Sequence, residues 1–97
     1  MNDRRSQVLL AMQQALLGEV SSRLRAVIVS FDDTRIHFDC YLDGEILEED
    51  RESMSLVESE VMAGFPESHA ITHRVLRKDY PFPIEKEATW VFYRKED

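Results

Sequence analysis

The fold is decided by residues 36–65, which read IHFDCYLDGEILEEDRESMSLVESEVMAGF. Ile36 to Leu42 alternates apolar and polar residues, which predicts a strand with one buried face. Asp43-Gly44 is a turn sequence. A helix should begin between Glu45 and Glu49, because acids in a first turn suit the positive end of the helix dipole. Gly64-Phe65-Pro66 predicts the end of that helix.

This helix carries one apolar stripe and one acidic side. The stripe recurs at helical spacing and consists of Met54, Val57, Val61 and Phe65, with Leu47 extending it toward the N-terminus. At 100° per residue, the opposite side and its flanks collect Glu45, Glu48, Glu49, Glu52, Leu56, Ser59, Glu60 and Ala63. The pattern therefore predicts a helix that buries one side and presents carboxylates, around an exposed leucine, to water.

The strand at residues 36–42 has a partner immediately before it. Leu24 to Phe31 is rich in β-branched residues, which predicts a strand. Asp32-Asp33-Thr34-Arg35 is a sequence typical of a turn. Pairing Phe31 with Ile36 places the apolar residues of both strands on one face of an antiparallel hairpin. That face consists of Val27, Val29, Phe31, Ile36, Phe38 and Cys40. The residues predicted to point outward are His37, Asp39 and Tyr41.

A first helix is expected from about Asp3 to Leu17. Asn2 or Asp3 can cap it, and Gly18 is a natural stop. Apolar residues cover a wide arc of this helix, so it must contact two surfaces. These are the sheet and either the second helix or another subunit. A monomer is favoured, and a regulatory or assembly module that dimerises through the first helix is the alternative.

The rest of the chain predicts two further strands, at His69 to Lys78 and at Ala88 to Arg94. The loop between them, residues 80–87, holds two prolines and should be stiff. Residues 1–97 therefore predict a single α+β domain of two layers. Its sheet is expected to be mainly antiparallel and four-stranded, built from two hairpins. Both helices should lie on one face, in the order α-β-β-α-β-β.

Negative charge is concentrated in the middle of the chain. Eleven acids and two arginines lie between Asp32 and Glu60, a net charge of −9, whereas the whole protein carries −7. Such a surface repels phosphates, so a cationic protein is expected as its partner and nucleic acid is not. A solvated face kept acidic for solubility is the alternative interpretation.

No catalytic, metal or cofactor site is predicted. His69 and His73 are four residues apart, which on a strand separates them by roughly 13 Å. His37 and Cys40 are three apart, which places them on opposite faces of their strand. The three glycines form no nucleotide-binding motif. A small hydrolase or isomerase that uses glutamate or histidine side chains remains as an alternative without a supporting pattern.

The expected compartment is the cytoplasm. Apolar runs are too short for a membrane span, and the N-terminal segment lacks the features of a secretion signal. The single cysteine, Cys40, has no intramolecular disulfide partner, which fits a reducing environment.

Several segments resemble small immunity proteins of bacterial toxin systems. These segments are YLDGEILEEDRES at 41–53, ESEVMAGFPE at 58–67, DYPFP at 79–83 and WVFYR at 90–94. Such systems include contact-dependent growth inhibition and related polymorphic toxins. The resemblance covers roughly the last two thirds of the chain. It implies a protein without activity of its own that binds a cognate toxin domain, often a nuclease, and covers or distorts its active site.

The helix projection and strand alternation predict the residues of a partner-binding surface. The residues expected to steer a basic toxin are Glu45, Glu48, Glu49, Glu52 and Glu60. The residues expected to contact it are Asp39, Tyr41, Asp43 and Leu56, with Tyr80 and Phe82 as further anchors. For Tyr80 and Phe82, the alternative is that they cover the end of the core.

Overall fold

A computed structural model of the chain describes residues 4–84 and 88–96. The elements follow one another as α1 (Arg4–Leu16), β1 (Leu24–Phe31), β2 (Arg35–Leu42), α2 (Glu48–Ala63), β3 (Ala70–Arg77) and β4 (Thr89–Tyr93). This succession along the chain is the expected one. The caps predicted at Asn2 or Asp3, and residues 85–87 of the last loop, lie outside the described residues.

The sheet is mixed, and its strand order is β3-β2-β1-β4. β1 pairs antiparallel with β2 and with β4, whereas β2 and β3 are parallel. The prediction of a mainly antiparallel sheet with two hairpins is therefore wrong, because β3 and β4 lie at opposite edges. The reason is α2: its 16 residues span about 24 Å. That length returns the chain to the start of the eight-residue β2, so β3 runs in the same direction.

The first hairpin has the predicted register. Phe31 pairs with Ile36, Val29 with Phe38, and Val27 with Cys40. All of these residues are buried except Phe31, which is half-buried. The apolar face inferred from alternation is thus the face of the sheet that contributes to the core.

Both helices pack on this same face of the sheet. In the core, the apolar residues of this sheet face pack against side chains from both helices. The helix residues are Val8, Met12, Ala15 and Leu16 of α1 and Met54, Val57 and Val61 of α2. The apolar arc of α1 is only partly used, since Leu10 and Leu17 are 56% and 77% exposed. The helix ends one residue before the predicted Leu17, and Gly18 follows with a φ of 84° that suits glycine. Neither described helix is both long and apolar enough to span a membrane.

Candidate functional site

The start of α2 is fixed by a buried acid that the sequence analysis did not single out. The Asp50 carboxylate accepts the backbone N–H of Leu47 at 2.7 Å and a hydrogen bond from Arg23 Nη1 at 2.8 Å. Burial alone would raise the pKa of Asp50, but its hydrogen bonds with Arg23 and Leu47 outweigh burial and leave the pKa below its usual value. Leu47 is the N-cap and is 38% exposed, so its predicted place in the buried stripe is wrong.

The outer face of α2 carries carboxylates in water, as predicted. The exposed residues include Glu48, Glu49, Glu52, Leu56 and Glu60, with Glu45 just before the helix. Leu56 is 56% exposed. Glu49 Oε1 lies 3.8 Å from Nη2 of the half-buried Arg23, a distance that gives only weak pairing for an exposed carboxylate. Within residues 4–84 and 88–96, Glu45, Glu48, Glu52 and Glu60 have no ion pair.

A shallow hollow of about 420 Å³ lies on this face. It is lined by Glu48, Arg51, Glu52, Ser55, Leu56 and Ser59. We call these residues, together with Glu49 and Glu60, the α2 face. The surface combines an apolar contact with surrounding carboxylates, the arrangement typical of a protein-binding site with a polar rim.

Asp39 lies on the predicted face of the sheet, away from the helices, but its predicted exposure is wrong. The residue is 3% exposed. Its carboxylate accepts hydrogen bonds from Arg74 at 2.9 and 3.0 Å, because the parallel register sets Arg74 opposite Asp39. It also binds His37 Nε2 at 2.8 Å, and His37 Nδ1 lies 2.8 Å from the Thr72 hydroxyl. Burial acts to raise the pKa of Asp39, but Arg74 and His37 hold it below its usual value.

Tyr41 and Asp43 are also on the sheet side of the molecule. Tyr41 is half-buried opposite Leu76 of β3. Asp43 accepts the backbone N–H of Tyr80 at 3.2 Å and a hydrogen bond from Arg94 at 3.1 Å. These contacts join the turn after β2 to the segment after β3 and to the C-terminal tail.

Arg25 is a buried residue that the sequence analysis missed, and it holds this end of the sheet together. It is 1% exposed. It donates to the carbonyl oxygens of Lys78 and Phe82 at 2.7 and 2.8 Å, and to the Glu96 carboxylate at 2.7 and 2.9 Å. The Arg25 hydrogen bonds lower the pKa of Glu96 to about 2. The sequence feature that could have revealed it is an arginine inside the β-branched run at 24–31. An arginine buried in such a strand requires hydrogen-bonding partners from elsewhere in the chain.

Tyr80 and Phe82, the aromatic residues of the loop after β3, lie next to Arg25 at the surface of the molecule. Tyr80 is 40% and Phe82 is 64% exposed, and neither belongs to the hydrophobic core. The alternative that they cover the end of the core is not supported for Phe82, whereas the Tyr80 ring does lie against the buried Arg25. The guanidinium carbon of Arg25 lies 5.8 Å from the centre of the Tyr80 ring.

The predicted contact residues thus fall on two sides of the molecule. Glu48, Glu49, Glu52, Leu56 and Glu60 lie together on the α2 face. The others lie with the sheet face away from the helices or at its end, and these are Asp39, Tyr41, Asp43, Tyr80 and Phe82. The structure does not bring the two sets together.

The side chains of His73, His69 and Cys40 pack against other protein side chains. His73 Nδ1 lies 2.7 Å from Glu58 Oε1, and its ring stacks on Phe38 at 5.2 Å. The His69 ring packs 5.4 Å from Phe65. The Cys40 thiol is buried 2.9 Å from the Met54 sulfur, and burial raises its pKa. In the described part of the chain, no three His, Cys, Asp or Glu side chains converge to hold a metal.

A comparison with known proteins finds one protein family. The family model described as MafI2 immunity protein matches residues 5–96. The match begins one residue into α1 and continues past the end of β4, so it covers nearly all of the described helices and strands. No curated protein matches the sequence.

Proposed function

The chain belongs to the MafI2 immunity protein family, and from this premise we propose that it neutralises a cognate toxin domain through its α2 face. Immunity proteins of this kind generally act by binding rather than by catalysis. The toxin's docking surface is basic in this proposal. A nuclease has such a surface, because phosphates are held by lysine and arginine side chains. The protein acts in the cytoplasm, where it intercepts the toxin.

The observation that carries the proposal is a set of exposed carboxylates on α2 that no residue in the described part of the chain neutralises. Glu48, Glu52 and Glu60 are exposed and form no ion pair with any described residue. Their neighbour Asp50 has Arg23 as a partner. Carboxylates that lie close together repel one another, so this arrangement lowers the stability of the free protein slightly. A cationic partner relieves that repulsion when it binds.

The α2 face supplies two different contributions to binding. The carboxylates act at a distance of about a Debye length, near 8 Å at physiological salt, and accelerate encounter with a basic surface. Leu56 supplies apolar area at the centre of the polar field, where binding energy concentrates in most interfaces. The proposal therefore assigns association rate to the glutamates and complex lifetime to Leu56.

The test is a double charge reversal, Glu52→Lys with Glu60→Lys, measured as protection of cells that express the toxin. The toxin domain is cloned from the toxin-like reading frame adjacent to the gene for this chain. Lysine at position 60 lies in the last turn of α2, which has no basic residue, so the substitution favours the helix dipole. We expect folding to be kept and protection to be lost.

The matched control is Asp33→Lys with Glu67→Lys. Both residues are exposed and lie outside α2, and the change in net charge is the same. The control should protect as well as wild type. Full protection by the α2 variant, or equal loss in both variants, would remove the α2 face from the mechanism.

One observation favours a second candidate function, an assembly module that dimerises through α1. Leu10 of α1 and Leu17 directly after the helix are both exposed, so this part of the molecule presents apolar surface that the core leaves uncovered. Light scattering over a concentration series distinguishes the two functions. The immunity function requires only a monomer, whereas the assembly module requires a dimer that Leu10→Ser dissociates.

A further inference from the structure

Arg51 lies at the edge of the α2 face, on the side next to β3, and has no intramolecular partner among the described residues. It is exposed and follows Glu48 by three residues, a spacing that permits an ion pair, yet none forms. Every other arginine in the described part of the chain donates a side-chain hydrogen bond to another residue. The donors of Arg51 therefore remain available to a second molecule.

Arg51 also lies where two hollows of the surface meet. With Ser55 it lines the acidic hollow on α2 and a second hollow, of about 470 Å³, between α2 and β3. The second hollow is completed by His73, Arg74, Val75 and Leu76. Arg74 is bound to Asp39, and His73 is bound to Glu58. Arg51 is thus the charged group at this junction whose hydrogen-bonding capacity is unused within the described residues.

An arginine at this position is unfavourable for a partner that is basic throughout. It would repel such a partner, and covering it without an acceptor would bury an unpaired charge. A carboxylate removes both costs, because the planar guanidinium can bind its two oxygens in parallel. Arg51 beside Glu48 and Glu52 therefore fits a partner surface on which a carboxylate lies beside basic side chains.

Resting on the proposed function, we propose that Arg51 binds an aspartate or glutamate side chain at the edge of the basic docking surface of the toxin. The glutamates of the α2 face contact the surrounding lysines and arginines. Leu56 and the half-buried Val75 and Leu76 line the hollows on either side. This arrangement discriminates against other basic proteins, because those that lack this carboxylate meet an unpaired arginine.

The test compares Arg51→Ala and Arg51→Glu with wild type in binding to the purified, catalytically inactivated toxin domain. Arg51 is exposed and alanine favours helix, so Arg51→Ala should fold. We expect the Kd to rise about tenfold for Arg51→Ala and about a hundredfold for Arg51→Glu. Arg51→Lys should recover part of the affinity, since it keeps the charge and loses the parallel geometry.

The control pair is Arg35→Ala and Arg35→Glu, with the same changes in charge at an exposed arginine on the sheet side. These should leave the Kd within about twofold of wild type. Tighter binding by Arg51→Ala and Arg51→Glu would overturn the inference, because it would mean that Arg51 only repels a basic partner. Unchanged binding by both would overturn it too.

The two proposals fail in different ways. If Glu52→Lys with Glu60→Lys has no effect on binding, the proposed function fails at the α2 face. If that variant weakens binding while Arg51→Ala strengthens it, the α2 face is retained and only the role of Arg51 is lost.

Discussion

The carboxylates of the sheet region and the exposed glutamates of the α2 face differ in whether other described residues neutralise them. Asp39, Asp43 and Glu96 are each bound by arginine side chains. Glu52 and Glu60 on α2 have no ion pair within the described residues. The sequence shows one acidic region of net charge −9, but the structure divides it into acids that join strands and loops and acids that face water. Net charge therefore overstates the charge that a partner meets.

The two groups should also differ in what their removal does. Removing one partner of a buried ion pair leaves an uncompensated charge, which costs several kcal/mol. Removing an exposed, unpaired carboxylate changes stability little. The comparison therefore predicts losses of stability for the sheet region and losses of binding for the α2 face.

The largest effect is expected from Arg25→Ala. This substitution leaves Glu96 without its main partner and frees the Lys78 and Phe82 carbonyl oxygens. The free energy of unfolding should fall by about 3–5 kcal/mol, as for other broken buried ion pairs. Urea unfolding at pH 7 measures it, with Arg51→Ala as the control that changes stability by less than about 0.5 kcal/mol. Equal stability of the two variants would abolish the distinction between the regions.

A smaller loss is expected from Asp39→Ala, which removes the acceptor for Arg74 and His37. The side chain of Asp39 is 4% exposed, but that of Arg74 is 55% exposed and can return to water. The free energy of unfolding should therefore fall by about 1–3 kcal/mol. Glu60→Ala is the matched substitution on α2 and should change it by no more than about 0.5 kcal/mol. A larger loss for Glu60→Ala would contradict the comparison.

Low pH should weaken the ion pair between Arg25 and Glu96. The pKa of Glu96 is about 2 in the folded protein and 4.5 as a free group. The unfolded chain therefore takes up a proton first as the pH falls, and the stabilisation that is present above pH 4.5 is lost between about pH 4.5 and 2. Urea unfolding over this range measures it. Glu96→Gln should flatten the profile, and an unchanged profile would contradict the assigned role of Glu96.

The smallest effect on stability is expected from Leu56→Ala. Leu56 is exposed, so the free energy of unfolding should change by less than about 0.5 kcal/mol. Toxin binding should weaken, by about tenfold in Kd, through faster dissociation. Leu10→Ala, at an equally exposed leucine of α1, is the control and should leave the Kd unchanged. Loss of affinity in the control alone would move the interface to α1.

Local patterns predicted much of the fold. Alternation fixed the pairing of Val29 with Phe38, since only one register buries both apolar sets. Helical spacing gave the buried and exposed sides of α2. The parallel pairing of β2 with β3 could not be predicted in this way, because it depends on where α2 returns the chain. The mixed alternation in β3 and β4 reflects their edge positions, where many side chains are only half-buried.

The candidate site was predictable on the helix and not on the sheet. The exposed position of Glu52 follows from helical periodicity alone. The burial of Asp39 does not, because it requires Arg74, a residue 35 positions away that the unpredicted parallel pairing places opposite. The burial of Arg25 likewise depends on the C-terminal Glu96. Partners distant in sequence decide which charges are neutralised.

The most direct test of the role of the α2 face is the association rate constant with the toxin domain as a function of ionic strength. Electrostatic steering predicts that the rate for the wild type falls steeply as salt increases. Glu52→Lys with Glu60→Lys should associate more slowly and with a much flatter salt dependence, while Asp33→Lys with Glu67→Lys should remain close to wild type. If both double variants show the wild-type salt dependence, the glutamates of α2 do not guide the toxin and the account is contradicted.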